Sequence, residues 1–395
     1  MLRPFNESKK KWPNGKKILI GLTLLVVVIA VIGFYLYYNS SLLFNPPEVK
    51  VIEGTYTLND VIAVSNNVVA FAGANLSNNI SEGIAGEYFL QNSSYLFFNL
   101  GEYLQDGTIY SIAYNGSSFL LAGAQSIKEN NVTVLQPEVV LYTNGKAINI
   151  SKLIPDTYTP GQAYAASWTG SYWLVGGSSL VIEGTAQYNV PFLVKILPNL
   201  TSIDLTPKLP NYFYSPLSVG SGIYTVSSHN GQFLVGGSHL FNYSVTLFNG
   251  SSFQKYPQDP GSILSSVYSP EGWIIGGYNY SSNPNVSLTM LGVVNGSDID
   301  FINLKYSVGI VVAVGYGDDT YVISLRVPAI NEGTGTASEE GIILMGKTLT
   351  SLSEIYSATN TSINSVTIAG NHLVGVGYTV TNQERHGIIL ILRMT

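Results

Sequence analysis

The sequence predicts an all-β fold, a seven-bladed β-propeller that is preceded by one N-terminal transmembrane helix. A pair of strands around a tight turn recurs seven times, a second pair follows most copies, and one long uncharged segment lies near the N-terminus. The copies are spaced 40 to 60 residues apart, which is the spacing of propeller blades, and six to eight blades fit it.

Composition sets the first limits on function. The chain has 395 residues, of which 46% are hydrophobic and 11% are charged, and it contains no cysteine. This much apolar material excludes intrinsic disorder and is enough for a sizeable core. Without cysteine there are no disulfides, thiolate zinc sites, iron–sulfur clusters or cysteine nucleophiles.

Charge divides the chain into two parts. Residues 1–17 form a basic tail with six basic residues and one acid, whereas the rest carries 12 basic and 23 acidic residues, a net charge of −11. An acidic main domain argues against a nucleic-acid partner. The small number of charged residues also suits a low-pH medium outside the cell, because the stability of the fold then depends little on carboxylates that become protonated in acid.

Residues 18–38 are predicted to form a transmembrane helix. The segment has 21 residues without a charge, enough at about 1.5 Å per residue to cross a hydrocarbon core of about 30 Å. The basic flank predicts a cytosolic N-terminus and an extracellular C-terminal domain in a single-pass cell-membrane protein, with the lipid bilayer as partner of residues 18–38. A cleaved secretory signal is the competing interpretation, but such cores are shorter and end at small residues.

Beyond the helix we expect a short proline-stiffened tether over 39–50 and an extracellular propeller over 51–395. This part is rich in Asn-x-Ser/Thr triplets, each a candidate acceptor for an N-linked glycan. The candidates are Asn39, Asn75, Asn79, Asn92, Asn115, Asn131, Asn149, Asn199, Asn242, Asn249, Asn279, Asn285, Asn295 and Asn360. The many triplets and the abundance of Tyr, Asn, Ser and Gly make the chain resemble the cell-surface proteins of archaea in composition.

The recurring motif is a strand of small residues, a tight turn, and an apolar strand that ends in glycine. Clear copies begin at Ser111, Ala165, Thr225 and Ser265, and weaker copies span 61–74, 312–326 and 365–378. The terminal positions are Gly73, Gly123, Gly177, Gly237, Gly277, Leu325 and Gly377. In the second strand pair of most units, the two strands are connected by Asn-Gly or a related dipeptide, which is a strong hairpin signal. Two hairpins in succession predict that each unit is a four-stranded antiparallel meander.

The seventh unit predicts how the ring closes. Only one strand, 386–394, follows its first strand pair, so this blade lacks a strand. We expect residues 49–58 to supply it, because a closed ring leaves no long exposed strand edge. A linear solenoid or two β-sandwiches are the alternatives.

The phrases YWLVGG and FLVGG, which end at Gly177 and Gly237, resemble kelch repeats, which carry a double glycine after an apolar strand. The resemblance covers most of 51–395 and implies a propeller with a general role in binding. Some copies depart from it, since Ala-Gly stands at 72–73 and 122–123 and the last two copies have no double glycine.

No arrangement of residues predicts catalysis, a metal site or a cofactor. The closest acid pairs are Asp298 with Asp300 and Asp318 with Asp319, and we expect them to serve hairpin turns. The four histidines, at 229, 239, 372 and 386, are scattered, and no phosphate-binding loop or nucleophile elbow occurs.

Binding is therefore expected in the variable loops that connect strands two and three, which should share one face of the ring with the links between blades. The binding candidates are Tyr212, Phe213, Tyr214, Tyr278 and Tyr280. Tyr212, Phe213 and Tyr214 lie in a long link, where packing on the blade edge is the preferred interpretation.

The sequence thus predicts a membrane-anchored, N-glycosylated, non-catalytic module that binds or assembles with a surface protein or glycan. A glycan-active hydrolase on the same scaffold is one alternative, and it requires two acids near the channel mouth. An accessory subunit of a membrane complex is the other.

Overall fold

The computed structural model describes residues 47–77, 80–129, 132–183, 186–213, 221–239, 242–282, 286–330 and 337–394. These residues form seven four-stranded antiparallel sheets, and the predicted seven-bladed propeller is confirmed. Among them no helix is long and apolar enough to cross a bilayer. The basic tail, the predicted span at 18–38 and most of the predicted tether lie outside the described residues.

The chain enters the ring through β1 (Glu48–Val51), and the first three blades follow in order along the sequence. Blade 1 contains β2 (Tyr56–Ser65), β3 (Val68–Ser77), β4 (Ile80–Phe89) and β5 (Ser94–Phe97). Blade 2 contains β6 (Gly107–Tyr114), β7 (Ser118–Glu129), β8 (Val132–Thr143) and β9 (Lys146–Asn149). Blade 3 contains β10 (Gly161–Trp168), β11 (Trp173–Glu183), β12 (Ala186–Ile196) and β13 (Ser202–Asp204).

The next three blades repeat the same order of strands. Blade 4 contains β14 (Gly222–His229), β15 (Gln232–His239), β16 (Asn242–Phe248) and β17 (Phe253–Lys255). Blade 5 contains β18 (Gly261–Ser269), β19 (Gly272–Tyr280), β20 (Ser287–Asn295) and β21 (Asp298–Phe301). Blade 6 contains β22 (Ile310–Gly317), β23 (Thr320–Ile330), β24 (Ala337–Gly346) and β25 (Ser353–Thr359).

Blade 7 closes the ring with strands from both ends of the described chain. It contains β26 (Thr361–Ala369), β27 (His372–Thr381) and β28 (Glu384–Arg393), and β1 pairs with β28 as its outermost strand. The closing strand is shorter than the predicted 49–58: it is Glu48–Val51, with Val49 opposite Leu390, and Tyr56 already begins blade 1. Ile52 turns inward after β1 and is 1% exposed, so it anchors the join in the core between blades 7 and 1.

Short 3-10 helices fill the links after blades 2 and 3, at Ser151–Leu153, Asp156–Tyr158, Thr206–Lys208 and Asn211–Phe213. The segments predicted to be variable loops between strands two and three are mostly strand instead. In blade 2, for example, β7 and β8 stay paired from Ser118–Thr143 out to Glu129–Val132. A ladder between two strands needs only its own backbone hydrogen bonds, so it continues past the packed layer although residues there such as Val132 and Leu135 are exposed.

Each innermost strand carries a β-bulge at the same place. The register shifts after Leu58, Ile109, Ala163, Ile223, Ile263, Val311 and Ile363, which leaves residues 59, 110, 164, 224, 264, 312 and 364 bulged. A bulge redirects one side chain and bends its strand. Seven residues are thereby aimed at the axis of the ring.

The recurring glycine faces this bulge from the second strand. A methyl group on Gly73, Gly123, Gly177, Gly237, Gly277 or Gly377 would lie 1.8 to 2.1 Å from a carbonyl oxygen of the innermost strand. Glycine is required there because two backbones approach too closely for a Cβ atom. Leu325 takes this position in blade 6, where it is fully buried opposite Val311.

Candidate functional site

The ring has two unlike faces. One face carries the connections between strands two and three and the links between successive blades, and we call it the loop face. We call the turn face the side of the tight hairpins that join strands one and two and strands three and four. This division agrees with the sequence prediction and follows from the antiparallel order of every sheet.

A polar cavity occupies the axis of the ring. Its volume is about 470 Å³, and it is lined by residues 59–63, 110–114, 164–168, 224–228, 264–267, 312–316 and 364–368. All seven innermost strands contribute to it, from the bulges down toward the turn face. A cavity of this size admits a small ligand or a side chain of a partner.

Two bulged asparagines tie neighbouring blades together. Asn364 Nδ2 donates to the carbonyl oxygen of Leu58 at 2.8 Å, and Asn59 Nδ2 donates to the carbonyl oxygen of Ile109 at 2.8 Å. Each asparagine thus bonds to the residue that directly precedes the bulge of the following blade. The same contact joins blade 7 to blade 1 and blade 1 to blade 2.

Tyrosines occupy the bulges of blades 2, 3 and 4. The rings of Tyr110 and Tyr164 have centroids 5.2 Å apart, and those of Tyr164 and Tyr224 are 5.3 Å apart. Tyr110 also donates its hydroxyl to Gln162 Oε1 at 2.8 Å. These half-buried rings form a curved wall at the loop-face end of the channel.

Blade 5 extends this wall with two of the predicted binding residues. Tyr278 and Tyr280, at the loop-face end of β19, have ring centroids 5.3 Å apart and hydroxyl groups 3.4 Å apart. Burial raises the pKa of Tyr278, and its hydrogen bond with Tyr280 and the nearby Tyr224 raise it further. We call Tyr110, Tyr164, Tyr224, Tyr278 and Tyr280 the tyrosine arc.

Four of the arc tyrosines have raised pKa values and stay protonated at ordinary pH. Burial raises the pKa of Tyr110, Tyr164 and Tyr224 above the usual range. The arc therefore offers neutral hydroxyl groups that both donate and accept hydrogen bonds, together with aromatic ring edges.

One carboxyl group lies in the channel wall. Asp60 Oδ1 accepts from the amide of Val61 at 2.9 Å and from Ser365 Oγ at 2.8 Å. Its Oδ2 accepts from Ser111 Oγ and from the amide of Ile112, both at 2.9 Å. Burial raises the pKa of Asp60, although these four hydrogen bonds oppose the shift. Asp60 thus joins blades 7, 1 and 2.

The sequence pattern did not single out Asp60 or the first three arc tyrosines. Blade 1 has a second bulge, after Ala63, so the alignment of its copy slips by one residue and leaves Asp60 outside. Structurally Asp60 corresponds to Ser111 and Ser365, the first residues of their copies. A tyrosine directly before three of the copies was the available signal for Tyr110, Tyr164 and Tyr224.

Two of the other predicted binding residues, Tyr212 and Phe213, lie between blades 3 and 4. Phe213 is fully buried in the core of that interface. Tyr212 is half-buried, donates its hydroxyl to the carbonyl oxygen of Val245 at 2.8 Å and accepts from the amide of Tyr256 at 3.3 Å. Tyr214 lies outside the described residues.

The acid pairs occupy hairpins. Asp318 and Asp319 form the first turn of blade 6 with φ values of 47° and 51°, a conformation that Asp tolerates well. Asp298 pairs with Asn295 across the last hairpin of blade 5, and Asp300 follows in the outer strand. Within the described ranges no three His, Asp or Glu residues are grouped as a metal ion would require.

The histidines are separated as well. His229 stacks on Tyr268 with centroids 3.7 Å apart, and His386 Nδ1 lies 3.2 Å from the carbonyl oxygen of Gly54. His239 is buried against Ser221, which is 3.1 Å from its Nδ1, and burial lowers its pKa. His372 starts β27 in the same blade as His386, but His386 pairs with Thr379, seven residues further along that strand.

A larger groove lies between blades 3 and 4 at the outer edge of the turn face. Its volume is about 920 Å³, and its lining includes Lys195, Lys208 and Lys255 with no acidic residue among the described ones. Lys195 Nζ lies 3.7 Å from the centre of the Tyr172 ring. The groove is a positive region on an acidic domain, and the turn that begins at Asn249 forms its rim.

The fold and this channel define the chain as a closed seven-bladed β-propeller with a tyrosine-lined axial opening. No protein-family model and no curated protein match its sequence. Solved structures with the same fold do match. A chain of the mitotic checkpoint complex has a TM-score of 0.51 and 12% identity, and the alignment covers 90% of this chain and 96% of that one.

Two further structures agree. YCF48 bound to a D1 peptide has a TM-score of 0.53 and 11% identity over 89% of this chain and 98% of that one. The acylaminoacyl peptidase of Pyrococcus horikoshii has a TM-score of 0.50 and 12% identity over 86% of this chain and 52% of that one. At such low identity the likeness shows the fold alone. The kelch resemblance and the archaeal resemblance stay predictions.

Proposed function

We propose that the chain is a membrane-anchored, N-glycosylated, extracellular propeller that binds a surface protein through the tyrosine arc and performs no catalysis itself. The observation that carries this proposal is the convergence of five tyrosines from four consecutive blades at the loop-face end of the channel. The apolar segment at 18–38 and the basic tail before it support the anchor and the orientation.

A polypeptide partner suits the arc better than a sugar. Stacking on a sugar ring requires a free aromatic face, whereas here the rings pack against one another at 5.2 to 5.3 Å and present edges and hydroxyl groups. Tyrosine is enriched at the energetic centres of protein interfaces because it combines a large apolar area with one hydrogen-bonding group. The axial cavity below would receive a side chain of the partner.

The hydrolase alternative has less support. A glycosidase of the usual kind needs two carboxyl groups on either side of the scissile bond, about 5 to 10 Å apart. The described lining of the channel contains one acid, Asp60, and its two oxygens already accept four hydrogen bonds.

The test is purification of the full-length protein from its own membrane in mild detergent, followed by mass spectrometry of the proteins that co-purify. We expect a stoichiometric partner with the natural chain and its loss with the Tyr278→Ser/Tyr280→Ser double variant. One interface centre of about 2 kcal/mol corresponds to a roughly 30-fold loss of affinity, and two such centres whose losses add correspond to a loss of about a thousandfold. Tyr95→Ser, an exposed tyrosine on the outer strand of blade 1, is the matched control.

Unchanged recovery of the partner with the double variant, at an unchanged melting temperature, would refute the arc as the binding site. If instead no protein co-purifies and a glycan array shows binding that the double variant loses, the arc is correct and the class of partner is wrong. A stoichiometric partner within a larger membrane assembly would give the propeller the role of an accessory subunit.

A further inference from the structure

Four of the Asn-x-Ser/Thr triplets have the same local geometry. In each, the hydroxyl group two residues after the asparagine donates to the asparagine's own Oδ1. The distances are 2.7 Å from Ser94 to Asn92, 3.1 Å from Ser117 to Asn115, 2.8 Å from Thr201 to Asn199 and 2.9 Å from Ser251 to Asn249. The backbone amide of the same Ser or Thr also donates to that oxygen.

These four triplets all lie in tight hairpins on the turn face. Asn92, Asn199 and Asn249 are in the turns between strands three and four of blades 1, 3 and 4, and Asn115 is in the first turn of blade 2. Three of the asparagines are exposed, and Asn115 is half-buried beside exposed Gly116 and Ser117. None of the four Nδ2 groups has a hydrogen-bond partner among the residues that the structure describes.

Three other triplets have the opposite geometry. After Asn149, Asn242 and Asn360, the hydroxyl-bearing residues Ser151, Ser244 and Ser362 are only 6%, 0% and 0% exposed. Each of these asparagines is itself half-buried, at the end of a strand, at the start of one, or in a link between blades.

In the first of these triplets both the asparagine and the serine side chain are hydrogen-bonded within the fold. Asn149 Nδ2 donates to buried Glu138 Oε1 at 2.5 Å, and Ser151 Oγ donates to Oε2 of the same carboxyl group at 2.9 Å.

The two remaining hydroxyl groups have partners as well. Ser362 Oγ donates to Asn364 Oδ1 at 2.8 Å and accepts from the Arg326 guanidinium. Ser244 Oγ accepts from Gln258 Nε2 at 3.4 Å.

N-linked glycosylation joins the asparagine Nδ2 to the anomeric carbon of a glycan carried by a lipid phosphate. The new N–C bond forms as the bond between that carbon and the phosphate oxygen breaks; the lipid phosphate leaves with the electron pair, and Nδ2 loses one proton. The acceptor must therefore present an unbonded Nδ2 at the surface. The turn triplets do so, and their hydroxyl groups are hydrogen-bonded to the oxygen of the same amide.

We infer that Asn92, Asn115, Asn199 and Asn249 are the acceptors for N-linked glycans and that Asn149, Asn242 and Asn360 remain unmodified. The glycans then stand on the turn face, and none of these seven sites places one at the arc. The glycan on Asn249 stands at the rim of the groove that contains Lys195, Lys208 and Lys255, and it makes that groove less accessible to a large partner. The inference rests on the extracellular location in the proposed function.

The experiment is glycopeptide mass spectrometry on the full-length protein purified from the membranes of its own host. We expect glycans at the four turn triplets and unmodified peptides at the three buried ones. In gels, single Asn→Gln variants at 92, 115, 199 and 249 should each lose the mass of one glycan, whereas Asn149→Gln, Asn242→Gln and Asn360→Gln should show no shift.

A glycan at any of the three buried triplets, or its absence from any of the four turn triplets, overturns the assignment at that site. Absence of glycans from all seven overturns the whole inference. Partner recovery in the same preparation is measured separately with the arc variants. A bound partner on an unglycosylated chain therefore refutes this inference and leaves the arc in place.

Discussion

Asp60 is predicted to stabilise the closure of the ring, because it joins blade 1 to blades 7 and 2, and replacing it tests that role. Its oxygens accept from the amides of Val61 and Ile112, whose residues are 3% and 1% exposed, so these amides have little access to water as an alternative acceptor. A buried donor that loses its acceptor costs about 1–3 kcal/mol. Asp60→Ala should therefore lower the free energy of unfolding by about 2–6 kcal/mol for the two amides.

Asp60→Asn should cost less, because its carbonyl oxygen still serves one side of the site. Its NH₂ group then faces an amide donor on the other side, so one amide stays unsatisfied and the loss is about 1–3 kcal/mol. The assay is denaturant unfolding of the full chain in detergent, with Asp300→Asn as control, an exposed aspartate on the outer strand of blade 5.

The pH dependence provides an independent check. Burial raises the pKa of Asp60 in the folded state, so the folded chain holds this proton more tightly than the unfolded chain does. The stability from this group is thus greatest below the usual carboxyl pKa of about 3.9 and falls as pH rises through the raised value. The stability of the natural chain minus that of Asp60→Asn should therefore shrink as pH rises from about 4.

The reasoning would be refuted if Asp60→Ala unfolded at the same denaturant concentration as the natural chain. A difference between the natural chain and Asp60→Asn that does not change with pH would refute the burial of this carboxyl group while leaving its hydrogen bonds intact.

Two further predictions test the bulge and the ring closure by the same unfolding assay. Gly237→Ala brings a methyl group within 1.9 Å of the Gly222 carbonyl oxygen and should cost at least about 1–3 kcal/mol. Gly315→Ala, where the nearest atom is 3.3 Å away, should cost clearly less, and equal losses would contradict the close approach. Ile52→Ala should cost about 2–5 kcal/mol because Ile52 fills the core at the join. Val51→Ala, which is 56% exposed in β1, should be nearly neutral; a small loss for Ile52→Ala would show that the join adds little stability.

The repeat was readable because its cause is local to the backbone. Gly177 and Gly237 recur since a carbonyl oxygen of the neighbouring strand comes too close for any side chain, and that contact repeats in six of the seven blades. Turn dipeptides such as Asn115-Gly116 mark the hairpins for a similar reason, because positive φ at Gly116 (96°) favours glycine. Seven copies and a missing strand then determine a closed ring, although not the bounds of the closing strand.

The tertiary structure alone decided which residues meet at the axis. Tyr110, Tyr164 and Tyr224 are more than fifty residues apart in sequence, and only the rotation from blade to blade places their rings in contact. The same holds for Asp60, whose partner Ser365 lies 305 residues away. The triplets look alike in the sequence, yet Asn149 bonds to Glu138 while Asn92 stands in an exposed turn. Local backbone constraints fix the strands, whereas burial and long-range hydrogen bonding decide what each side chain is free to do.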